Sequence, residues 1–394
     1  MQLFTMKIIF LSHPLFLGSN SMPRYANWLS NGMRARGHEV EIWQPKARFF
    51  NLPAPQSLKK WLGYIDQYIV FPFVVKKNIK KQPVNTLYAF TDHALGPWVP
   101  YFTKLKHIIH CHDFLAQRSA MGSIPQNKTG FGGRIYQKFI RSGYIQGENF
   151  ISISKKTQED LHFFLGNKKP KFSTVVYNGL NQDFSVQDAA LCRHAISQLI
   201  NKDVSEGYFL HVGGNQWYKN REGVIKIYNS LSLDKNYGKL PLVMIGPKPN
   251  QNLINERNAS IFKDSIFLMS DAPDDLVKKA YSGATAFIFP SLAEGFGWPI
   301  AEAMASGSFV VTTNEAPMNE VAGNAALLID VCPVDATQHN AWANKAAIDI
   351  ISVLNNPEQK LSYIQLGAEN AKRFDSEKTL DKIEALYNQI IEAN

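Results

Sequence analysis

The chain has 394 residues, 45% hydrophobic and 19% charged, with 25 Gly and 20 Pro, which excludes disordered, collagenous and coiled-coil classes and is long enough for two or three domains. Its three cysteines, Cys111, Cys192 and Cys332, lie far apart without a Cys-x-x-Cys pair, so a disulfide scaffold and a cysteine-rich zinc module are excluded and a reducing cytoplasm fits. The net charge of +9 is uneven: residues 1–200 hold 25 Lys and Arg against 10 Asp and Glu, and residues 201–394 hold 17 against 23. A basic half of this kind faces an anionic partner. No helix-turn-helix, zinc-finger or RNP-like pattern accompanies it, so a membrane surface or a phosphate-bearing substrate is expected and nucleic acid is not.

The apolar run at 8–11 is broken by Ser12, His13 and Pro14 with no small-residue cleavage pattern behind it, so residues 7–11 read as a first strand and not as a signal peptide. Short β-branched runs bounded by Gly, Pro, Asn or Asp predict further strands at 38–43, 84–90, 107–111, 150–153 and 174–177, with helical spacing at 24–36, 134–145 and 157–165. The greasy stretch 68–75 is interrupted by Pro72 and falls short of the ~20 apolar residues of a membrane span. After a polar region at 182–205, read as a linker, a second series predicts strands at 208–212, 242–245, 265–268, 284–289, 309–312 and 326–329. Helical spacing accompanies it at 221–231, 274–281 and 299–305, and a last helical pattern runs from 377 to 391. Strands alternating with helices in this way predict an α/β protein with two Rossmann-like, doubly wound parallel-sheet domains, at 1–190 and 200–373.

The strongest motif is the segment 290–307, PSLAEGFGWPIAEAMASG. It follows a strand at the carboxyl end of a parallel sheet, where ligands of such folds bind. Gly295 and Gly297 let the backbone approach a ligand, Pro299 suits the start of a helix and Gly307 its end, and the helix N-terminus offers free amides to a phosphate. Glu294 in the loop and Glu302 in the helix are placed to accept hydrogen bonds from sugar hydroxyls. The alternative is that Glu302 complements the helix dipole and Glu294 caps its amides.

This segment resembles the signature of the retaining nucleotide-sugar glycosyltransferases of family 4, which have the two-domain GT-B fold: two glutamates separated by seven residues within E-G-F-G-x-P-x-x-E-x-M-A-x-G, matched by Glu294 and Glu302. The resemblance places Gly295, Phe296, Gly297, Trp298 and Pro299 around the donor, and implies that Glu294 contacts donor-sugar hydroxyls and Glu302 the ribose. After the strand at 208–212 comes G-G-N-Q-W-Y-K-N-R, in which Gly213 and Lys219 resemble the phosphate-contacting loop. A lysine in front of a helix opposes its dipole, so an anion is expected between them. Where many relatives carry an Arg this chain has Gly214, and Arg221 is the candidate replacement.

In the first half, H-C-H-D at 110–113 resembles the family's cleft histidine, which makes His112 a donor-sugar contact with Asp113 beside it. His110 and His112 share a strand face, yet no third or fourth ligand follows at metal spacing, so no metal is expected and His110 reads as a packed residue. Gly18-Ser19-Asn20-Ser21 resembles the glycine loop that approaches the donor phosphates, although turn geometry accounts for a single Gly equally well. Ser154 reads as a helix N-cap and Asn178 as part of a turn; family usage adds Ser154, Lys155 and Asn178 as cleft candidates.

The resemblance implies a metal-independent, retaining hexosyl transfer from a nucleoside-diphosphate sugar to a glycan or lipid-linked acceptor, without cofactor, in surface polysaccharide or glycolipid assembly. It also implies that helix 377–391 braces the N-terminal domain. The alternatives are a nucleotide-sugar epimerase of the same fold and a non-catalytic carbohydrate- or lipid-binding module. Finally, Lys59-Lys60, Lys76-Lys77 and Lys80-Lys81 flank Trp61, Tyr64, Tyr68, Phe71 and Phe73. That mixture suits an anionic bilayer and a peripheral position on the cytoplasmic membrane face. The other reading is a core helix with solvated lysines, since Pro72 interrupts the pattern.

Overall fold

A computed structural model describes residues 5–18, 21–180 and 183–393. Ser19 and Asn20 of the glycine loop, and Gln182 at the head of the expected linker, lie outside the described residues. The chain forms two compact units. One contains the described residues up to Ile124, Lys128–Gly179 and the chain from Ser376 onward; the other contains Leu180–Asp375 with Pro125–Asn127.

The first unit is built on six parallel strands, β1 (Lys7–Leu11), β2 (Glu39–Trp43), β3 (Thr86–Phe90), β4 (His107–Cys111), β5 (Asn149–Ser152) and β6 (Phe172–Val175), in the order β2-β1-β3-β4-β5-β6. Side chains alternate across the sheet, so each central strand feeds two cores. Ile9, Leu11, Tyr88, Phe90 and Ile109 pack with Trp98, Phe102 and Tyr144 on one face. Ile8, Phe10, Leu87 and Ile108 meet Leu29 and Met33 of helix Ser21–Ala35 and Leu380, Ile383 and Tyr387 of helix Ser376–Glu392 on the other. That last helix is held at its polar edge by Arg36, whose guanidinium reaches Glu377, Asp381 and Glu384. In the core, His110 hydrogen-bonds the Tyr25 hydroxyl through Nδ1 (2.9 Å) and the Tyr387 hydroxyl through Nε2 (2.8 Å).

Pro72 does not end the helical run. Helix Gln56–Ile65 passes through a π-helical turn, Asp66–Val70, into helix Phe71–Ile79, where Pro72 occupies the first turn. The π-helical turn directly ahead of Pro72 is the local adjustment that lets the run continue past a residue with no N–H, and the Gln67 carbonyl within it accepts from Trp98 Nε1 (2.9 Å).

The second unit repeats the plan with β7 (Phe209–Val212), β8 (Leu242–Gly246), β9 (Ile266–Ser270), β10 (Ala286–Phe289), β11 (Val310–Thr313) and β12 (Leu327–Ile329), in the order β12-β11-β10-β7-β8-β9, all parallel. The region expected to be a linker is largely structured. Helix Ala189–Ile200 occupies it, capped by the Asp188 carboxylate, which accepts from the Leu191 N–H (2.8 Å). Cys192, Ile196 and Ile200 are buried at four-residue spacing, so a single apolar stripe inside a polar sequence was sufficient to seat a helix.

Candidate functional site

In an open parallel sheet the two strands at which the order reverses leave a crevice beyond their carboxyl ends. In the second unit those strands are β7 and β10, which pair directly. The loop after β7 carries Lys219 and the loop after β10 carries Glu294. The two loops are joined by backbone and side chain: Leu292 N–H donates to the Tyr218 carbonyl (2.7 Å), and the Asn220 amide donates to the Pro290 carbonyl (3.1 Å).

That scaffold fixes an ion pair. Lys219 Nζ donates to Glu294 Oε1 at 2.7 Å, with side chains only 14% and 8% exposed. The anion that the sequence demands in front of Lys219 is therefore supplied by the protein itself in this state. The ammonium also lies over the rings of Phe289 (5.1 Å) and Tyr218 (5.5 Å), which shield it and add cation–π attraction. Ser291, fully buried, donates to Glu294 Oε1 (2.6 Å), with the Tyr218 carbonyl 2.8 Å away as an alternative acceptor. Nothing in the sequence motif marks Ser291 as part of this arrangement.

Glu302 lies in helix Trp298–Ala305 and accepts a hydrogen bond from the Tyr281 hydroxyl (2.9 Å). Burial, with the Glu302 carboxylate beside it, holds the Tyr281 phenol well above its usual range, so it remains a donor at all ordinary pH values. Gly297 caps this helix at φ 99°, a conformation that a side chain would strain. Pro299 sits in the first turn, Gly307 closes the far end, and Gly295, Phe296 and Trp298 complete the approach, with the Phe296 ring edge-on to Phe374.

Gly213 directly follows β7, at a position where a Cβ would come within 2.7 Å of the buried His211 Nε2, so close packing favours the glycine. Arg221 opens helix Arg221–Leu231 and is nearly fully buried. Its Nη1 donates to Asn215 Oδ1 (2.5 Å) while its Nε is buried without a partner among the described residues. Burial lowers its pKa, countered by Glu222. His211 beneath it donates through Nδ1 to the Ile288 carbonyl (2.9 Å). Burial pushes its pKa down to about 3, with Arg221 and Lys219 adding to the effect.

In the first unit the order reverses between β1 and β3. His13 follows the one and Asp92 the other, and sequence reasoning missed both. His13 Nε2 donates to Asp92 Oδ2 (2.9 Å), and His93 Nδ1 lies 3.0 Å from Asp92 Oδ1. Burial raises the Asp92 carboxyl, but the two imidazoles outweigh it and hold the group well below the usual carboxylate range. His112 is buried beside them, with Nε2 donating to the Thr91 carbonyl (2.8 Å); burial lowers its pKa, opposed by Asp92. Asp113 accepts from the Leu115 N–H (3.0 Å), and burial raises its carboxyl. Gly18 closes a short 3-10 turn, Leu15–Leu17. Ser154 caps helix Lys155–Leu165 by accepting from the Thr157 N–H (3.0 Å), and Asn178 is buried just ahead of Gly179, where a Cβ would press on Ser376.

Residues 193–368, within the second unit, match the family of glycosyl transferases group 1. O-antigen chain mannosyltransferase B of Escherichia coli is 33% identical over 135 residues, 33% of this chain and 35% of that protein. O-antigen chain mannosyltransferase RfbU of Salmonella typhimurium is 28% identical over 224 residues, 57% and 58% of the two chains. The matches thus span about a third and somewhat over half of these curated relatives. Among solved structures, a sucrose-phosphate synthase from Thermosynechococcus elongatus has a TM-score of 0.72 at 17% identity, covering 99% of this chain and 100% of that one. Anabaena HepE, solved with UDP and glucose, has a TM-score of 0.68 at 13% identity, covering 97% and 99%. At such identities the likeness carries the fold alone, and the fold is GT-B.

Proposed function

We propose that this chain is a glycosyltransferase of the glycosyl transferases group 1 and moves a hexose from a nucleoside-diphosphate sugar to an acceptor hydroxyl. The observation that carries the reading is the Lys219–Glu294 pair at the switch point of the second sheet, beside the N-terminus of the helix that holds Glu302. A cation and the positive end of a helix dipole suit a diphosphate, and two carboxylates suit hydroxyl groups on either side of it.

On donor binding the pair separates: Lys219 turns to the phosphate, and Glu294 accepts from sugar hydroxyls. Glu302, oriented by Tyr281, accepts from the ribose. In the transfer the bond between the anomeric carbon and the phosphate oxygen breaks, and the charge that develops on the phosphate is stabilised by Lys219 and the helix dipole. The acceptor oxygen forms the new bond on the same face and gives its proton to the departing phosphate, so configuration is retained. The names of the two curated relatives favour mannose as the sugar and a polysaccharide chain as acceptor.

Incubation with guanosine, uridine and adenosine diphosphate sugars tests this reading, with thermal stabilisation and release of the nucleoside diphosphate as readouts. A preferred donor at ~100 times its dissociation constant should add about 2.7 kcal/mol of stability. Conversion of the donor to an epimer without acceptor, or no stabilisation by any member of the set, overturns it.

A further inference from the structure

The first unit carries a strongly cationic surface that lies outside the residues assigned to the transfer reaction. Segments 42–91 and 114–147 contain thirteen Lys and Arg and a single carboxylate, Asp66. That carboxylate is buried and accepts backbone N–H bonds from Arg48, Phe49 and Phe50. The surface built from these segments therefore presents almost no negative charge. Among the described residues, Lys60, Lys76, Lys77, Lys80, Lys81 and Lys138 form no ion pair.

The sequence pattern draws attention to the lysine-flanked aromatics at 56–81; the structure adds a second helix, Phe131–Tyr144, joined to them. Tyr64 stacks on Tyr136 with centroids 5.4 Å apart, the Tyr68 and Tyr136 hydroxyls are 2.6 Å apart, and Tyr68 meets Phe139 edge-on at 5.5 Å. The tyrosines lock the helices side by side, and large apolar side chains project from both. Trp61 is 64% exposed and Phe73 70%, with Leu58, Ile69, Ile135 and Phe139 also exposed. Spacings of three and four residues place such side chains along one stripe of each helix.

We propose that helices Gln56–Ile65, Phe71–Ile79 and Phe131–Tyr144 form one docking face for an anionic lipid bilayer. Rigid apolar side chains set among unpaired cations match the layered chemistry of such an interface: phosphate-rich headgroups over acyl chains. A nucleic acid would engage the cations and stack on aromatic rings, but it has no use for protruding Leu58, Ile69 and Ile135. Charge complementarity alone would also serve an acidic protein; the apolar stripe favours the bilayer.

Flotation of the full chain with vesicles tests this without reference to turnover, so its outcome is separate from that of the proposed transfer. The probes are phosphatidylcholine vesicles with and without one-third phosphatidylglycerol. Binding to the anionic vesicles at low salt, weakening as salt rises, is expected. Replacing Lys59, Lys60, Lys76, Lys77, Lys80 and Lys81 together by Gln should weaken it by roughly 100-fold or more. Trp61→Ser with Phe73→Ser, which leaves every charge in place, should weaken it at least roughly ten-fold with an unchanged melting curve. No binding to the anionic vesicles, equal binding to neutral ones, or an affinity that the double variant leaves intact overturns the proposal. Full displacement by duplex DNA at equal charge concentration also overturns it, and shows a polyanion-binding surface instead.

Discussion

Lys219 and Glu294 are 75 positions apart in sequence and 2.7 Å apart in space. They differ from an ordinary surface pair in being largely buried, with the Tyr218 and Phe289 rings lying against the ammonium. Glu294→Gln preserves the shape and can still hydrogen-bond Ser291, but it leaves the Lys219 ammonium without its counter-charge, so it should lower stability by up to about 3 kcal/mol while turnover falls ~10²–10³-fold. Lys219→Ala should lose a similar factor in rate and also about 3 kcal/mol of stability, because it strands a buried carboxylate. Either variant transferring sugar at the parent rate removes the residue from the site.

Glu302 is positioned by Tyr281, and the two can be separated experimentally. Glu302→Ala should weaken binding of the free nucleoside diphosphate. Tyr281→Phe keeps the carboxylate but releases it from its hydroxyl partner, and should weaken nucleotide binding about five-fold, equivalent to the ~1 kcal/mol of one hydrogen bond. Calorimetric titration of the nucleotide reads both; an affinity equal to the parent's in the Glu302 variant rules out its ribose contact.

Acid should destabilise both units. Burial pushes the pKa values of His110 and His211 down to about 3 in the folded chain, against ~6.5 when unfolded. Between those values the unfolded chain binds more protons, so stability is complete above ~6.5 and is lost as pH falls toward 3, at about 1.4 kcal/mol per pH unit for each group. Melting temperatures from pH 7 to pH 4.5 should decline, and His110→Gln should flatten the slope. A melting temperature constant over that range contradicts the burial of two neutral imidazoles.

Transfer should persist in excess chelator if, as proposed, Lys219 and a helix N-terminus meet the charge that develops on the leaving group. Activity abolished by chelation and restored by magnesium or manganese would replace this account with a metal-assisted one.

The strand series was legible because every central strand is covered on both faces, which writes it into the sequence as a short β-branched run. Ile8–Leu11 and Phe287–Phe289 are fully buried examples. Glu294 and Glu302 were legible because glycines and a proline mark a loop entering a helix and the pattern resembles a family signature; Lys219 was legible from the resemblance of its glycine loop. Helix Ala189–Ile200 was not, since only Cys192, Ile196 and Ile200 supply its apolar stripe. His13 with Asp92, and Ser291 with its partners, were hidden for a different reason. Their meeting depends on strand order and on which loops lie side by side, and no local pattern encodes either. The sequence offers Arg221 as the replacement for the Arg missing at Gly214, but only packing reveals that it is buried, with an Nε that has no partner among the described residues.

Helix Ser376–Glu392 follows the whole second unit in sequence, yet its Leu380, Ile383 and Tyr387 complete a core of the first. During synthesis the first sheet therefore emerges with one face covered only in part, by helix Ser21–Ala35, its His110 lacking the Tyr387 hydroxyl, and it must wait for nearly two hundred further residues before that face can close. The second unit is continuous apart from a three-residue contribution and can complete its sheet first. Assembly from the ribosome thus runs against the order of the chain, and a truncation placed anywhere in the second unit exposes apolar surface in the first.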